Sequence, residues 1–116
     1  MAKELKKIES NELLVKLRLT ESKIYSSLLN MQKSRTALTS ARTISNLIFI
    51  SHLLQADLDM QTGQLNALEH RDYKTAYNYL SEAFEAYDLQ SSPKAHICLK
   101  HMLTFHIMKE KYFFAY

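Results

Sequence analysis

Three histidines and the single cysteine lie close together near the C-terminal end of the sequence. His96, His101 and His106 follow one another at intervals of five residues. Five residues of an α-helix correspond to a rotation of about 140° beyond one turn, so these side chains do not share a face as metal ligands four residues apart would. Cys98 stands among apolar residues without the partners of a nucleophilic thiol, which indicates a buried, inert side chain. We therefore expect no metal site and no catalytic residue here.

The other motifs that could support chemistry have simpler structural interpretations. Glu69-His70-Arg71-Asp72 mixes acid and base, but the pattern around it predicts a turn, where charge is expected. Ser92-Pro93 could be a site of proline-directed phosphorylation. The same pair is favoured as a helix start, because serine caps the first turn and proline has no N–H to leave unpaired. We interpret Ser92 and Pro93 as a helix cap.

The composition narrows the function classes further. The chain has 116 residues, 47% of them hydrophobic and 23% charged, which is typical of one globular domain. One glycine and one proline disfavour a turn-rich β fold and exclude a glycine-rich phosphate loop. No apolar run is long enough to span a membrane, and the N-terminus lacks the apolar stretch of a signal peptide. We expect a soluble, intracellular chain without a cofactor or a small-molecule substrate.

The net charge of +3 is unevenly distributed. Residues 1–50 carry nine Lys/Arg against four Asp/Glu, and residues 51–116 carry six against eight. A nucleic-acid-binding surface would need basic residues clustered on one face with aromatic residues among them. The basic residues here are scattered among acids, so we expect neither nucleic acid nor a membrane as a partner.

Hydrophobic periodicity predicts an all-α fold of about five helices. The predicted helices cover residues 11–29, 32–47, 53–69, 73–88 and 93–109, and residues 2–8 are expected to extend the first. In the first helix the predicted apolar side is Leu14, Leu17, Ile24, Tyr25 and Leu28. The third carries two adjacent stripes, which are Leu54, Leu58, Leu65 and Leu68, and Ala56, Met60, Gly63 and Ala67.

The fourth predicted helix has the clearest amphipathic stripe. A helix that is apolar on two sides needs neighbours on both, and stacked helical hairpins supply them. A small residue, a leucine and an alanine recur 42 residues apart, at Ser34, Leu38 and Ala41 and again at Ala76, Leu80 and Ala83. The residues predicted to pack the hairpins are Ser34, Leu38, Ala41, Tyr73, Ala76, Leu80, Ala83 and Phe84. The pattern predicts an α-solenoid of tetratricopeptide-like hairpins.

Several short stretches are similar to a known family. They are Leu38-Thr39-Ser40-Ala41-Arg42-Thr43, Leu58-Asp59-Met60-Gln61-Thr62-Gly63, Asp72-Tyr73-Lys74-Thr75-Ala76-Tyr77, Glu82-Ala83-Phe84-Glu85-Ala86-Tyr87-Asp88 and Ser92-Pro93-Lys94-Ala95. They resemble the PCI family of 26S proteasome lid subunits, in particular its regulatory subunit 11 branch. The resemblance implies a non-catalytic scaffold in ubiquitin-dependent degradation, with proteasome lid and core subunits as partners and a cytoplasmic and nuclear location.

The resemblance covers part of the family's architecture. Residues 1–109 correspond to the helical-repeat segment, residues 110–116 form a divergent aromatic tail, and we expect the PCI winged-helix module to be absent. On this basis the chain is expected to be a truncated paralogue. Two alternatives stay open, a free-standing tetratricopeptide-like adaptor and a subunit of the paralogous signalosome complex. An adaptor would carry a cluster of exposed basic and amide side chains on its inner helices. Lys16, Lys23 and Asn66 are too few to form such a cluster.

Overall fold

The computed structural model describes the backbone of residues 2–115 and the side chains of residue 6 and of residues 9–110. The described backbone consists of five α-helices and contains no strand, which confirms the all-α class predicted from periodicity. Their bounds are α1 Ala2–Ser27, α2 Met31–Ser45, α3 His52–His70, α4 Tyr73–Leu89 and α5 Lys94–Ala115.

Polar side chains begin the helices after the first. Asn30, Ser51 and Asp72 each accept a hydrogen bond from the backbone N–H three residues later, at 3.3, 3.2 and 3.2 Å. Such caps satisfy N–H groups that have no partner inside the helix. Ser92 Oγ accepts from the N–H of Lys94 at 3.3 Å, and Pro93 lies between them.

Three helices end in a left-handed residue that is not glycine. Leu29, Arg71 and Ser91 have φ of 63°, 52° and 53°. After two of them the next N–H reaches back to a carbonyl in the last helical turn, from Asn30 to Tyr25 and from Ser92 to Tyr87, both at 2.9 Å. This is the Schellman arrangement, which turns the chain within a few residues and makes antiparallel neighbours of successive helices.

The helices form two hairpins and a fifth helix. α1 packs on α2, α3 packs on α4, and α5 packs on the open side of α4, so the molecule is elongated at 58 × 32 × 20 Å. The core accordingly has two parts, both of which include residues of α3. The first cluster is Val15, Leu19, Leu38, Ala41, Leu54, Leu58 and Leu65. The second cluster is Ala56, Leu80, Ala83, Tyr87, Ala95, Cys98 and Met102.

The predicted apolar side of α1 is wrong. Leu17, Ile24 and Leu28 are 59%, 55% and 69% exposed, whereas Val15 and Leu19 are buried. The buried face continues through Ser22, whose side chain is completely buried. A serine interrupts the aliphatic pattern at the point where α1 crosses α2, so counting aliphatic residues selects the neighbouring face.

Two further details differ from the sequence-based expectation. Leu68 was assigned to an apolar stripe of α3 but is 59% exposed in the last turn of that helix. The fifth helix was expected to end near residue 109, but its backbone stays helical to Ala115. Side chains beyond residue 110 lie outside the described residues, so the predicted divergence of the aromatic tail stays a prediction.

Candidate functional site

Six of the eight residues predicted to pack the hairpins are buried, and two are half-buried. Leu38 and Ala41 of α2 are buried in the first cluster, and their counterparts Leu80 and Ala83 of α4 are buried in the second. The half-buried Phe84 packs against the second cluster. Tyr73 is half-buried with its ring centroid 6.1 Å from that of Phe105. How much each residue stabilises its hairpin stays a prediction.

The two helices of each hairpin approach each other closely, and different residues allow this in the two hairpins. In the first, Ser34 Oγ lies 2.7 Å from the carbonyl oxygen of Ser22 and 3.0 Å from its hydroxyl. The amide of Gln61, from α3, donates to the same Ser22 hydroxyl at 3.2 Å. In the second hairpin Gly63 of α3 faces the backbone of α4, where a Cβ would lie 2.9 Å from the carbonyl oxygen of Ala76. The sequence repeat located both crossings but not the serine–glutamine network.

Arg42 joins the two hairpins. Its guanidinium donates to Thr62 Oγ1 at 3.0 Å, lies 3.6 Å from a carboxylate oxygen of Asp59, and sits 5.5 Å from the centre of the Tyr79 ring. Arginine suits this position because its planar group can donate in several directions and stack on an aromatic ring. The contacts connect α2 with α3 and α4.

Asp59 is the buried acid of this junction. Its side chain accepts from the Gln55 amide at 3.2 Å, and the residue is only 7% exposed. Burial raises the pKa of the Asp59 carboxyl above its usual range, with a smaller contribution from Glu82, while Gln55 and Arg42 oppose the shift. A carboxylate in an apolar stripe of α3 was the available sequence signal for this junction, and hydrophobic periodicity does not detect it.

One cleft lies between the first helices of the repeats. It has a volume of about 300 Å³ and is lined mainly by α1, α3 and α5. We call it the inner groove. Lys23 and Lys94 lie on its two sides, and Asp57, Met60 and Gln64 of α3 lie between them.

Three polar side chains of the inner groove, those of Asp57, Tyr87 and Lys94, contact one another. The phenol of Tyr87 donates to the Asp57 carboxylate, and the Lys94 ammonium lies 3.2 Å from the same carboxylate oxygen. Burial, together with the Asp57 carboxylate, raises the pKa of the Tyr87 phenol far above its usual range. The groove therefore has the features of a binding surface with a structural ion pair rather than of a poised acid–base pair.

The thiol and the histidines lie in ordinary environments. Cys98 is completely buried, its thiol is 3.4 Å from the carbonyl oxygen of Leu80, and burial raises its pKa to about 11. His96 and His106 are exposed, and His101 stacks on Phe105 with ring centroids 6.1 Å apart. Within the part of the chain that the structure describes, no three His, Cys, Asp or Glu side chains gather as metal ligands would. None of the described helices is long and apolar enough to cross a bilayer.

Comparison with known proteins gives one consistent group of relatives. The chain is 47% identical to 26S proteasome non-ATPase regulatory subunit 11 of Dictyostelium discoideum. That alignment spans 105 residues, or 90% of this chain. It is 42% identical over 109 residues to a probable 26S proteasome regulatory subunit, rpn-6.1, of Caenorhabditis elegans, and 43% identical over 108 residues to the subunit 11 homologue of Arabidopsis thaliana. The alignments with the Caenorhabditis elegans and Arabidopsis thaliana proteins each cover 93% of this chain.

The match is confined to one part of the longer relatives. The chain spans about a quarter of the length of the curated proteins it matches, 25% to 26% in these three. No family model matches the chain.

Proposed function

Because the chain is homologous to one segment of the 26S proteasome regulatory subunits named above, we propose that it is a non-catalytic scaffold element. Its partners on this proposal are protein subunits of the proteasome regulatory lid and core, and its process is ubiquitin-dependent protein degradation. The observation that carries the proposal is identity of 42–47% over nine tenths of the chain, an extent that reaches into all five helices.

The architecture supports a role in binding proteins. Stacked hairpins contact only their neighbours, so such a fold keeps long lateral surfaces open to partners. Here the long dimension is 58 Å, and large apolar side chains such as Leu47, Phe49 and Leu89 are more than three quarters exposed in or next to connections between helices. Exposed apolar residues in turns are more typical of an assembly subunit than of a small monomeric enzyme.

The described polar groups support a non-catalytic role. An acid–base catalyst needs a group that is free to exchange a proton near neutral pH. Asp57 is held by Tyr87 and Lys94, and the raised pKa of Cys98 disfavours the reactive thiolate. A scaffold acting on proteasomes would work in the cytoplasm and the nucleus.

The alternative functions differ in the proteins that would be recovered with the chain. An affinity-tagged chain is expressed in cells, purified without denaturation, and its co-purifying proteins are identified by mass spectrometry. We expect proteasome regulatory subunits to be enriched. Enrichment of signalosome subunits would instead favour the signalosome alternative. Enrichment of a protein that binds the chain through a short peptide would favour the adaptor alternative. Either result would contradict the proposal.

Two neighbouring substitutions provide matched controls for this experiment. Ala83→Arg places a charge in the buried crossing of α3 and α4, whereas Glu82→Arg changes an exposed residue next to it. Recovery of proteasome subunits should disappear with Ala83→Arg and persist with Glu82→Arg. Equal recovery with both variants would indicate that the tag or an unfolded chain, rather than the folded repeat, binds the proteins.

A further inference from the structure

The solvent side of α5 carries a short aliphatic ridge. Leu99, Leu103 and Ile107 follow one another at intervals of four residues and are 40%, 57% and 61% exposed. The other side of the same helix buries Ala95, Cys98 and Met102 against α4. We call the three exposed side chains the α5 ridge. Residues four apart in a helix lie about 40° from one another, so the ridge is one continuous strip.

We propose that the α5 ridge binds the α5 ridge of a second copy of this chain, antiparallel and about a two-fold axis through Leu103. In a two-fold pair the contacts are reciprocal. With Leu103 against Leu103, Leu99 of each copy lies opposite Ile107 of the other, because both are four residues from the axis. The spacing of the ridge is therefore complementary to itself.

The polar residues that flank the ridge fit the same register. His96 lies seven residues before Leu103 and Glu110 lies seven residues after it, and both are exposed. The two-fold pair thus places an imidazole of one copy opposite a carboxylate of the other, at both ends of the contact. Lys100 and His106, three residues from the axis, also lie opposite each other and have side chains that can turn toward solvent. A shallow crossing of about 20° keeps the central and flanking positions in contact together.

The size of the contact predicts a weak dimer. Six aliphatic side chains and two imidazole–carboxylate pairs form an interface below the 1,200 Å² or so that stable complexes bury. We therefore expect rapid exchange between monomer and dimer, with a dissociation constant in the micromolar range or above. Sedimentation velocity of the purified full chain from about 1 µM to about 300 µM should show a sedimentation coefficient that rises toward that of a dimer.

Position 103 offers a direct test of the two-fold axis. A residue on the axis faces its own copy, and facing Cα atoms of packed helices come within the roughly 4.4–6.8 Å that a disulfide spans. Leu103→Cys should form a disulfide-linked dimer rapidly under mild oxidation, whereas Thr104→Cys, one residue around the helix, should not. The native Cys98 is buried and serves as the background in both variants and in the wild type. Equal cross-linking at positions 103 and 104 would overturn the proposal.

Charge reversal tests the register independently. His96→Glu places two carboxylates opposite each other and should weaken the dimer several-fold, as should Glu110→Lys, which sets an ammonium against the imidazole. The double variant restores opposite charges and should recover most of the wild-type affinity. Leu103→Glu should abolish the dimer, while Thr104→Glu, on a different face, should leave it unchanged, and circular dichroism should show that both variants remain helical. A wild-type chain that stays monomeric, or an assembly that survives Leu103→Glu, would refute the proposed contact.

Discussion

Gly63 illustrates how a single missing atom sets the distance between two helices. Gly63→Ala improves helix propensity by about 1 kcal/mol, but its Cβ would lie 2.9 Å from the backbone oxygen of Ala76, which cannot turn aside. Because overpacking costs about 1–3 kcal/mol, we expect a net loss in the free energy of unfolding. Urea denaturation of this variant beside Gln64→Ala, which alters the neighbouring half-buried residue, measures it. A more stable Gly63→Ala protein would show that the helices are farther apart than described.

Asp59 provides a test of the electrostatics at the junction of the hairpins. A carboxyl whose folded-state pKa is raised binds its proton more tightly in the folded than in the unfolded chain. Its contribution to stability therefore decreases as the pH rises from the usual aspartate pKa, about 3.9, through the raised folded value. We expect the free energy of unfolding of the wild type, relative to Asp59→Asn, to fall as the pH rises above about 4. A relative stability that rises with pH would mean that the attraction of Arg42 outweighs burial.

Individual side chains also show where sequence reasoning reaches its limit. Ala76, Leu80 and Ala83 recur in the spacing of an earlier helix, so their burial could be expected from the sequence. Ser22 and Gln61 could not be identified in this way, because a buried polar side chain looks like a surface residue until its partners are known. The same is true of Arg42, whose three contacts come from residues 17 to 37 positions away along the chain.

At the scale of the element, hydrophobic periodicity predicted the contact faces of α3 and α4 but not that of α1. The stripe of α4 gave its bounds to within one residue, and the two stripes of α3 matched contacts on two sides. In α1 the aliphatic residues lie all around the helix, and the polar Ser22 marks the contact with α2. Aliphatic periodicity alone therefore could not determine the α1 register.

Two adjacent positions of α4 test the register of that helix. Ala83 is completely buried between α3 and α5, and Glu82 is exposed. Ala83→Arg combines overpacking with an unpaired buried charge and should cost about 3 kcal/mol or more, a large share of a domain's stability. Glu82→Arg should stay within about 0.5 kcal/mol of the wild type. Thermal melting of both proteins compares them, and equal melting temperatures would show that the register is wrong.

At the scale of the whole molecule, the two core clusters define how the chain should unfold. The first cluster holds α1, α2 and one side of α3, and the second holds the other side of α3 with α4 and α5. Direct contact between α2 and α3 is limited compared with the contacts inside each hairpin. In stacked repeats stability is a sum of hairpin stabilities and interface terms, so parts of the chain can open separately.

A matched pair of core truncations tests this division. Val15→Ala removes two methyl groups from the first cluster, and Met102→Ala shortens a side chain of the second, both from buried positions. Each should destabilise by roughly 1–3 kcal/mol, but in different places. Hydrogen exchange should show Val15→Ala lowering protection chiefly in α1 and α2, and Met102→Ala chiefly in α4 and α5, with α3 affected by both because its two faces belong to different clusters. Uniform loss of protection in both variants would mean that the junction at Arg42 couples the hairpins into one cooperative unit.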